Sequence, residues 1–206
     1  MPYIDAAARL TRAELIRRLG DPARMALAGE TSSDDAMDLL ANGLAPKNAA
    51  VLVAMVLRPD PTVLLTLRAT TLNSHAGQVA FPGGRMDPGE TPEATALREA
   101  AEEVGLDPRL PTLIGRLPQH LTGTGYRITP VLALLEPPID LTPAPAEVEE
   151  PFEYPLHHLL DPRLPERGQA NFRGRDRQFW VWPHDRHHVW GATATILLNL
   201  ARVLRD

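Results

Sequence analysis

Apolar and polar positions divide the chain into short elements with different periods. Residues 49–57, AAVLVAMVL, are apolar at nearly every position, which is typical of a strand buried on both faces. Asp60-Pro61 marks a turn, and residues 62–68 are predicted to be the second strand of a hairpin. The same pattern predicts further strands over residues 113–117, 128–135 and 179–182.

Helical spacing occurs near both ends of the chain. The segment from Thr11 to Glu14 has the spacing of a capping box and predicts a helix that ends before Gly20. Shorter helices are expected over residues 35–41 and 154–160, and residues 137–151 are expected to form a proline-rich loop. A C-terminal helix is expected over residues 191–204, with one apolar side formed by Ile196, Leu197, Leu200 and Leu204.

A helix in the middle of the chain has clear start and stop signals. Thr91 can cap its first turn, Pro92 suits a first-turn position, and Gly105 is a typical C-terminal residue. At about 100° per residue, the apolar side is expected to contain Leu97, Ala101 and Val104. The helix is therefore predicted to bury one side and expose the other.

Three carboxylates are predicted to share the other face of this helix. Glu99, Glu102 and Glu103 fall within one arc of the helical wheel, and Arg98 is expected beside Glu102. Acids this close repel one another by a few tenths of a kcal/mol per pair on an exposed helix. A solvated acidic face is one interpretation, and a site for a hard divalent cation such as Mg²⁺ is the other.

Composition narrows the possible functions. The formal net charge is −5 and the predicted pI is about 5.8, so non-specific nucleic-acid binding is not expected. The absence of cysteine excludes disulfides, thiolate catalysis and zinc–cysteine sites. No apolar run approaches the length of a membrane span, and the first twenty residues lack a signal-peptide core. A cytoplasmic protein with no membrane partner is the expectation.

Residues 84–106 read G-x5-E-x7-R-E-A-x-E-E-x-G-L, and this string resembles the signature of the Nudix hydrolases. The resemblance implies an α/β fold of the Nudix type, an α/β/α sandwich with a mixed β-sheet and a loop–helix metal-binding element. The resemblance spans residues 48–200. We expect the chain to form one domain, residues 1–206, with residues 1–47 as a helical extension and residues 84–106 as the Nudix box. The resemblance also implies hydrolysis of nucleoside diphosphate derivatives with Mg²⁺ or Mn²⁺.

The resemblance assigns roles within the box. Glu99, Glu102 and Glu103 correspond to metal ligands, with Glu102 and Glu103 also counted as catalytic. Arg98 and Glu90 correspond to a buried brace that orients them. Gly84 corresponds to the position where the backbone approaches the metal.

A narrower resemblance precedes the box. The string LLTLRA at residues 64–69, followed by SHAGQVAFPGG at residues 74–84, is similar to bacterial Nudix hydrolases that act on coenzyme A. Asn73 stands where that branch usually has arginine. The candidate substrate-binding residues are Arg68, Asn73, His75, Gln78 and Gly83.

Several of these residues have alternative interpretations. Arg68 could be an ordinary strand-end arginine in a surface ion pair, and His75 and Gln78 could simply order their loop. Glu147, outside the box, is the first choice for a recruited general base or additional metal ligand, although acids in such loops are usually solvated.

The expected reaction is cleavage of the diphosphate of coenzyme A or its derivatives to adenosine 3′,5′-bisphosphate and 4′-phosphopantetheine. Hydrolysis of ADP-ribose or another nucleoside diphosphate derivative is the alternative enzyme function. A ligand sensor with the same fold but no turnover is the alternative from another class. A monomer and a homodimer are both compatible with the sequence.

Overall fold

The computed structural model describes residues 10–29, 31, 32, 36, 43, 45–72, 74–172 and 175–205, with the side chains of residues 172 and 175 excepted. Asn73 and all but one residue of the helix predicted at 35–41 lie outside these residues. The helices are α1 Arg12–Leu19, α2 Pro22–Met25, α3 Pro92–Val104, α4 Leu156–Leu160 and α5 Gly191–Leu204. The strands are β1 Lys47–Val56, β2 Thr62–Arg68, β3 Val79–Ala80, β4 Gly83–Arg85, β5 Thr112–Arg116, β6 His120–Leu121, β7 Tyr126–Leu135, β8 Val148–Pro155, β9 Glu166–Phe172, β10 Arg175–Trp182 and β11 Val189–Trp190.

A mixed sheet forms the centre of the described fold. Strands β1 and β7 run parallel in one register from Lys47↔Tyr126 to Val56↔Leu135, and the other pairings in this sheet are antiparallel. Strands β9, β10 and β11 form a smaller antiparallel sheet. The predicted β1–β2 hairpin is confirmed, with Met55 opposite Val63.

The apolar run of β1 is explained by two separate cores. Ala50, Leu52 and Ala54 belong to the core beneath α3, whereas Val53 and Met55 belong to the core that contains the buried side of α5. Each fully buried aliphatic side chain contributes roughly 1.5–3 kcal/mol relative to an exposed one. Helices therefore cover both faces of the sheet, and the predicted α/β/α sandwich is confirmed.

The structure corrects three predicted boundaries. The proline-rich loop ends at residue 147, because β8 begins at Val148 and pairs with β2. The helix predicted at 154–160 begins only at Leu156, since Tyr154 still lies in β8 opposite Val63. Strand β10 begins before the predicted residue 179 because it pairs along β9.

Arginines join the N-terminal and C-terminal helices through main-chain carbonyls. Arg18 donates to the carbonyl of Leu204, and Arg24 donates to the carbonyls of Val203 and Arg205. The Arg205 guanidinium in turn donates to three carbonyls just after or within α4, those of Leu159 at 2.7 Å, Asp161 at 2.8 Å and Leu164 at 2.6 Å. Among the described residues, no helix has the length and apolar character needed to span a membrane.

Candidate active site

Two glycines bring strand β4 close to its neighbours. A Cβ at Gly83 would lie 2.4 Å from the carbonyl oxygen of Ala50 in β1. A Cβ at Gly84 would lie 2.5 Å from the carboxylate of Glu99. Glycine is therefore required at position 83, where the contact is with backbone, to place β4 against β1. At position 84 a side chain would displace the Glu99 carboxylate.

The predicted ends of α3 are confirmed. The Thr91 side chain accepts a hydrogen bond from the backbone N–H of Ala94, and Gly105 adopts the left-handed conformation with φ of 67°. The predicted apolar side is partly wrong. Ala96, Ala100 and Val104 are fully buried against the sheet, whereas Leu97 and Ala101 are only partly buried.

This rotation of α3 carries one carboxylate inward. Because alanines let the helix approach β1 closely, Glu103 is drawn under the loop, and its side chain is only 3% exposed. Its carboxylate accepts hydrogen bonds from the Gly83 N–H at 3.1 Å and from Arg68 Nη1 at 3.2 Å. Burial raises the pKa of Glu103 to about 7, against the opposing effects of these two donors.

Arg98 lies at the centre of the other carboxylates. Its guanidinium donates to Glu90 from Nε at 2.9 Å and from Nη2 at 3.0 Å. Its Nη1 donates to Glu99 at 2.9 Å and to Glu102 at 3.0 Å, so the predicted contact with Glu102 is confirmed. The predicted brace is less buried than expected, since the Arg98 side chain is 30% exposed and that of Glu90 20%.

The hydrogen bonds to Glu90 determine its charge state. Arg98, the Thr95 hydroxyl and the backbone N–H of Asp87 lower the pKa of Glu90 to about 2. Thr95 is buried and donates to Glu90 at 2.6 Å, a contact that was not predicted from the sequence. Its position three residues before Arg98, on the same side of the helix, is the signal that could have found it.

Glu147 lies where its charge affects the same cluster. Burial is the main cause that raises the pKa of Glu99 and of Glu103, and the charge of Glu147 raises both further. Glu147 is exposed and immediately precedes β8, and its carbonyl accepts a hydrogen bond from the Ala69 N–H at 2.9 Å. The structure therefore brings this residue, distant in sequence, to the face of α3.

The predicted substrate loop lies beside Arg68. His75 Nδ1 and Gln78 Oε1 are 2.8 Å apart, and both side chains belong to exposed or partly exposed residues. His75 has φ of 58°, an unusual value for a residue with a side chain. Both residues thus belong to one tight turn. Arg68 directs its Nη1 to Glu103, and its predicted contact with substrate stays a prediction.

The donor chemistry of the cluster fits a hard divalent cation. Glu99, Glu102, Glu103 and the nearby backbone at Gly84 offer only oxygen ligands, which Mg²⁺ and Mn²⁺ prefer. In the part of the chain that the structure describes, no three His, Asp or Glu side chains already form a metal-binding group. Glu99 and Glu102 both accept hydrogen bonds from Arg98. Burial disfavours the charged forms of Glu99 and Glu103, and a bound cation would offset this effect.

Comparison with known proteins gives the family. The NUDIX domain model matches residues 46–174. A protein of Photorhabdus laumondii named "Uncharacterized Nudix hydrolase NudL" is 42% identical over 157 residues, covering 76% of this chain and 84% of the relative. Its namesake in Cronobacter sakazakii is 41% identical over 161 residues, with 78% and 84% covered. The Nudix hydrolase RenU of M. smegmatis has a solved structure with 28% identity, a TM-score of 0.48 and coverage of 57% of this chain and 75% of that one.

The chain belongs to the Nudix family. It is a hydrolase of nucleoside diphosphate derivatives that acts on the diphosphate bond, in a family that generally uses divalent metal ions.

Proposed function

We propose that the protein hydrolyses coenzyme A or its derivatives in the presence of Mg²⁺ or Mn²⁺, releasing adenosine 3′,5′-bisphosphate and 4′-phosphopantetheine. The observation that carries this proposal is the contact between two segments. The segment at residues 64–84 that resembles the coenzyme A branch reaches the carboxylate cluster directly, through Arg68 and the Gly83 N–H on Glu103. Substrate-reading and metal-binding residues would therefore form one site.

Glu99, Glu102, Glu103 and the backbone of Gly84 are the residues that would hold the metal. When bound, the ion would neutralise charge on the phosphoryl oxygens and lower the pKa of the attacking water. Arg98 and Glu90 orient Glu99 and Glu102 through the hydrogen bonds described above.

Residues around this cluster would orient the water and the substrate. Glu147 is exposed beside Glu99 and Glu103 and is our candidate to accept the proton of the attacking water. Gly83, the first residue of β4, and the turn that contains His75 and Gln78 would contact the substrate, together with Asn73. Their polar groups would hold the diphosphate in line with the water.

A hydrolysis panel tests the substrate. Hydrolysis of coenzyme A, dephospho-coenzyme A and ADP-ribose is compared with Mg²⁺ and with Mn²⁺. The Glu102→Gln variant, purified by the same procedure, reports any contaminating activity. The expected result is the highest kcat/KM with coenzyme A or dephospho-coenzyme A. A clear preference for ADP-ribose would replace the proposal with the second candidate, which Asn73 favours because it lacks a cation for an additional phosphate.

Asn73 also allows a test of affinity. Asparagine donates hydrogen bonds but has no charge, and a charge-assisted bond to phosphate is worth roughly 1.5–3 kcal/mol. We expect a high KM for coenzyme A in the natural protein and a KM about tenfold lower or more in Asn73→Arg, with little change in kcat. At high salt, the difference in KM between Asn73→Arg and the natural protein should become smaller. An unchanged KM would show that this position does not read the substrate.

A further inference from the structure

The end of β2 differs from the rest of that strand. Leu67 lies opposite Glu150 of β8, but the next residue, Arg68, lies opposite Val148, so the pairing skips Glu149. An irregularity of this kind increases the local twist and changes the direction in which a side chain points. Here it occurs at the residue whose guanidinium reaches α3.

The backbone at this irregularity joins the two loops of the candidate site. The Arg68 N–H donates to the Gln78 carbonyl at 3.0 Å, and the Arg68 carbonyl accepts from the Gly77 N–H at 3.1 Å. The next N–H, that of Ala69, donates to the Glu147 carbonyl at 2.9 Å. Main-chain bonds thus fix the position of Arg68 relative to both loops.

The Arg68 side chain completes the contacts of a buried carboxylate. Arg68 Nη1 donates to Oε1 of Glu103 at 3.2 Å, while the Gly83 N–H donates to Oε2 at 3.1 Å. Because each oxygen has one donor, the orientation of the carboxylate is determined. The Arg68 side chain is 24% exposed, against 3% for Glu103, so the arginine is the more accessible partner of the pair.

We propose that Arg68 is a positioning residue that fixes the Glu103 carboxylate for the metal, and that contact with a substrate phosphate is not its main role. The inference rests on the proposed role of Glu103 in the site. A phosphate contact would act mainly on substrate binding. A positioning residue would act through Glu103 on the metal and on the chemical step, with little effect on KM.

The first test separates these roles. Arg68→Met and Arg68→Lys are assayed for kcat and KM with the best substrate of the panel, and Mn²⁺ affinity is measured by calorimetry without substrate. We expect Arg68→Met to lower kcat at least about tenfold and to weaken Mn²⁺ binding, with KM within about threefold of the natural protein. Lysine keeps one charged donor and should recover part of both losses. A tenfold rise in KM with unchanged kcat and Mn²⁺ affinity would overturn the proposal.

A second test does not require turnover. In metal-free protein, Arg68→Met should lower the melting temperature because Glu103 stays buried without its charged partner, and Glu103→Gln in the same chain should restore most of the loss. If the effects of Arg68→Met and Glu103→Gln on the melting temperature were additive, the proposed coupling between Arg68 and Glu103 would be overturned. This result stands whether or not coenzyme A is the substrate, so failure here is distinguishable from failure of the proposed function.

Arg58→Met is the matched control. Arg58 forms an ion pair with Glu153 at 2.7 Å at the other end of the same strand pair, away from the cluster. Its loss should leave kcat and Mn²⁺ affinity unchanged. If Arg58→Met weakened Mn²⁺ binding as much as Arg68→Met does, the effect of Arg68 would not be specific to Glu103 and the proposal would fail.

Discussion

Arg98 and Arg205 lie on opposite faces of the central sheet, and their main partners differ in kind. On the α3 face, Arg98 binds the carboxylates of Glu90, Glu99 and Glu102. On the opposite face, Arg205 donates to main-chain carbonyls around the end of α4. A carboxylate can exchange an arginine for a metal ion, whereas a carbonyl at a helix end mainly needs a donor. We infer that the first set serves the reaction and the second serves stability.

The hydrophobic cores on the two faces of the sheet also differ in the side chains that they contain. The core on the α5 face contains large, fully buried side chains such as Trp182 and Tyr154. The α3 core also contains buried leucines, but the surface that α3 itself contributes includes the small residues Ala96 and Ala100, next to the buried Glu103. Large apolar side chains contribute most to burial energy, and a buried charge costs free energy unless it is paired. Changes on the α3 face should therefore affect rate more than stability, and changes on the α5 face the reverse.

The largest expected effect is on rate at the α3 face. Glu102→Gln and Glu103→Gln should each lower kcat at least about 100-fold, because losing one anionic ligand weakens a metal that acts mainly on the transition state. The melting temperature of each variant should barely fall. Steady-state kinetics at saturating Mg²⁺ and a thermal melt provide the check. Near-natural turnover in either variant would exclude that carboxylate from the metal site.

Arg98→Ala should lower both the rate and the stability, unlike the other changes on the α3 face. It removes the partner of Glu90 and separates Glu99 and Glu102 from their shared cation, so repulsion among the acids increases. We expect kcat to fall at least about tenfold and the melting temperature to fall as well. An unchanged melting temperature would contradict the role of Arg98 as a brace.

The sequence predicted local features well. Thr91 and Gly105 marked the ends of α3 because caps depend on a few adjacent residues, and β2 has the predicted bounds of 62–68. The helical wheel gave the relative angles of the acids but not the rotation of α3 against the sheet, which packing of Ala96 and Ala100 determines. For this reason the burial of Glu103 was not predicted.

Contacts between distant segments were also beyond local reasoning. The Arg68–Glu103 ion pair joins residues 35 positions apart, and it forms only because β2 ends beside α3. The Nudix box itself was found through family resemblance. The metal-binding and catalytic roles of its residues, and that of Glu147, stay predictions.

Arg205→Ala tests the other face. Removing one guanidinium leaves three carbonyls without that donor, and we expect a loss of about 1–3 kcal/mol in the free energy of unfolding. The kcat should be unchanged. Arg163→Ala is the control, since its ion pair with Asp161 involves a side chain that is 76% exposed and should contribute little. Equal stability losses in Arg205→Ala and Arg163→Ala would show that the contacts with the carbonyls do not explain the effect of Arg205.

The smallest expected effect is a pH dependence of stability that arises from His158 on the α5 face. Burial is the main cause that lowers the pKa of His158 below its usual value of 6.5, and the neighbouring His157 and His184 lower it further. The folded protein therefore favours the neutral ring, while the unfolded chain takes up a proton near pH 6.5. The stabilising contribution is complete above pH 6.5 and is lost as the pH falls towards and below the lowered folded-state pKa.

A variant can isolate this contribution. Asparagine at position 158 keeps a polar group near the Tyr154 hydroxyl, which lies 3.2 Å from His158 Nδ1, but it does not titrate. Between pH 7 and pH 5, we expect the melting temperature of the natural protein to fall about 1–3 °C more than that of His158→Asn. His188→Asn, at an exposed position, is the control and should keep the natural slope. Parallel melting curves for all three proteins would mean that His158 does not link protonation to the stability of this face.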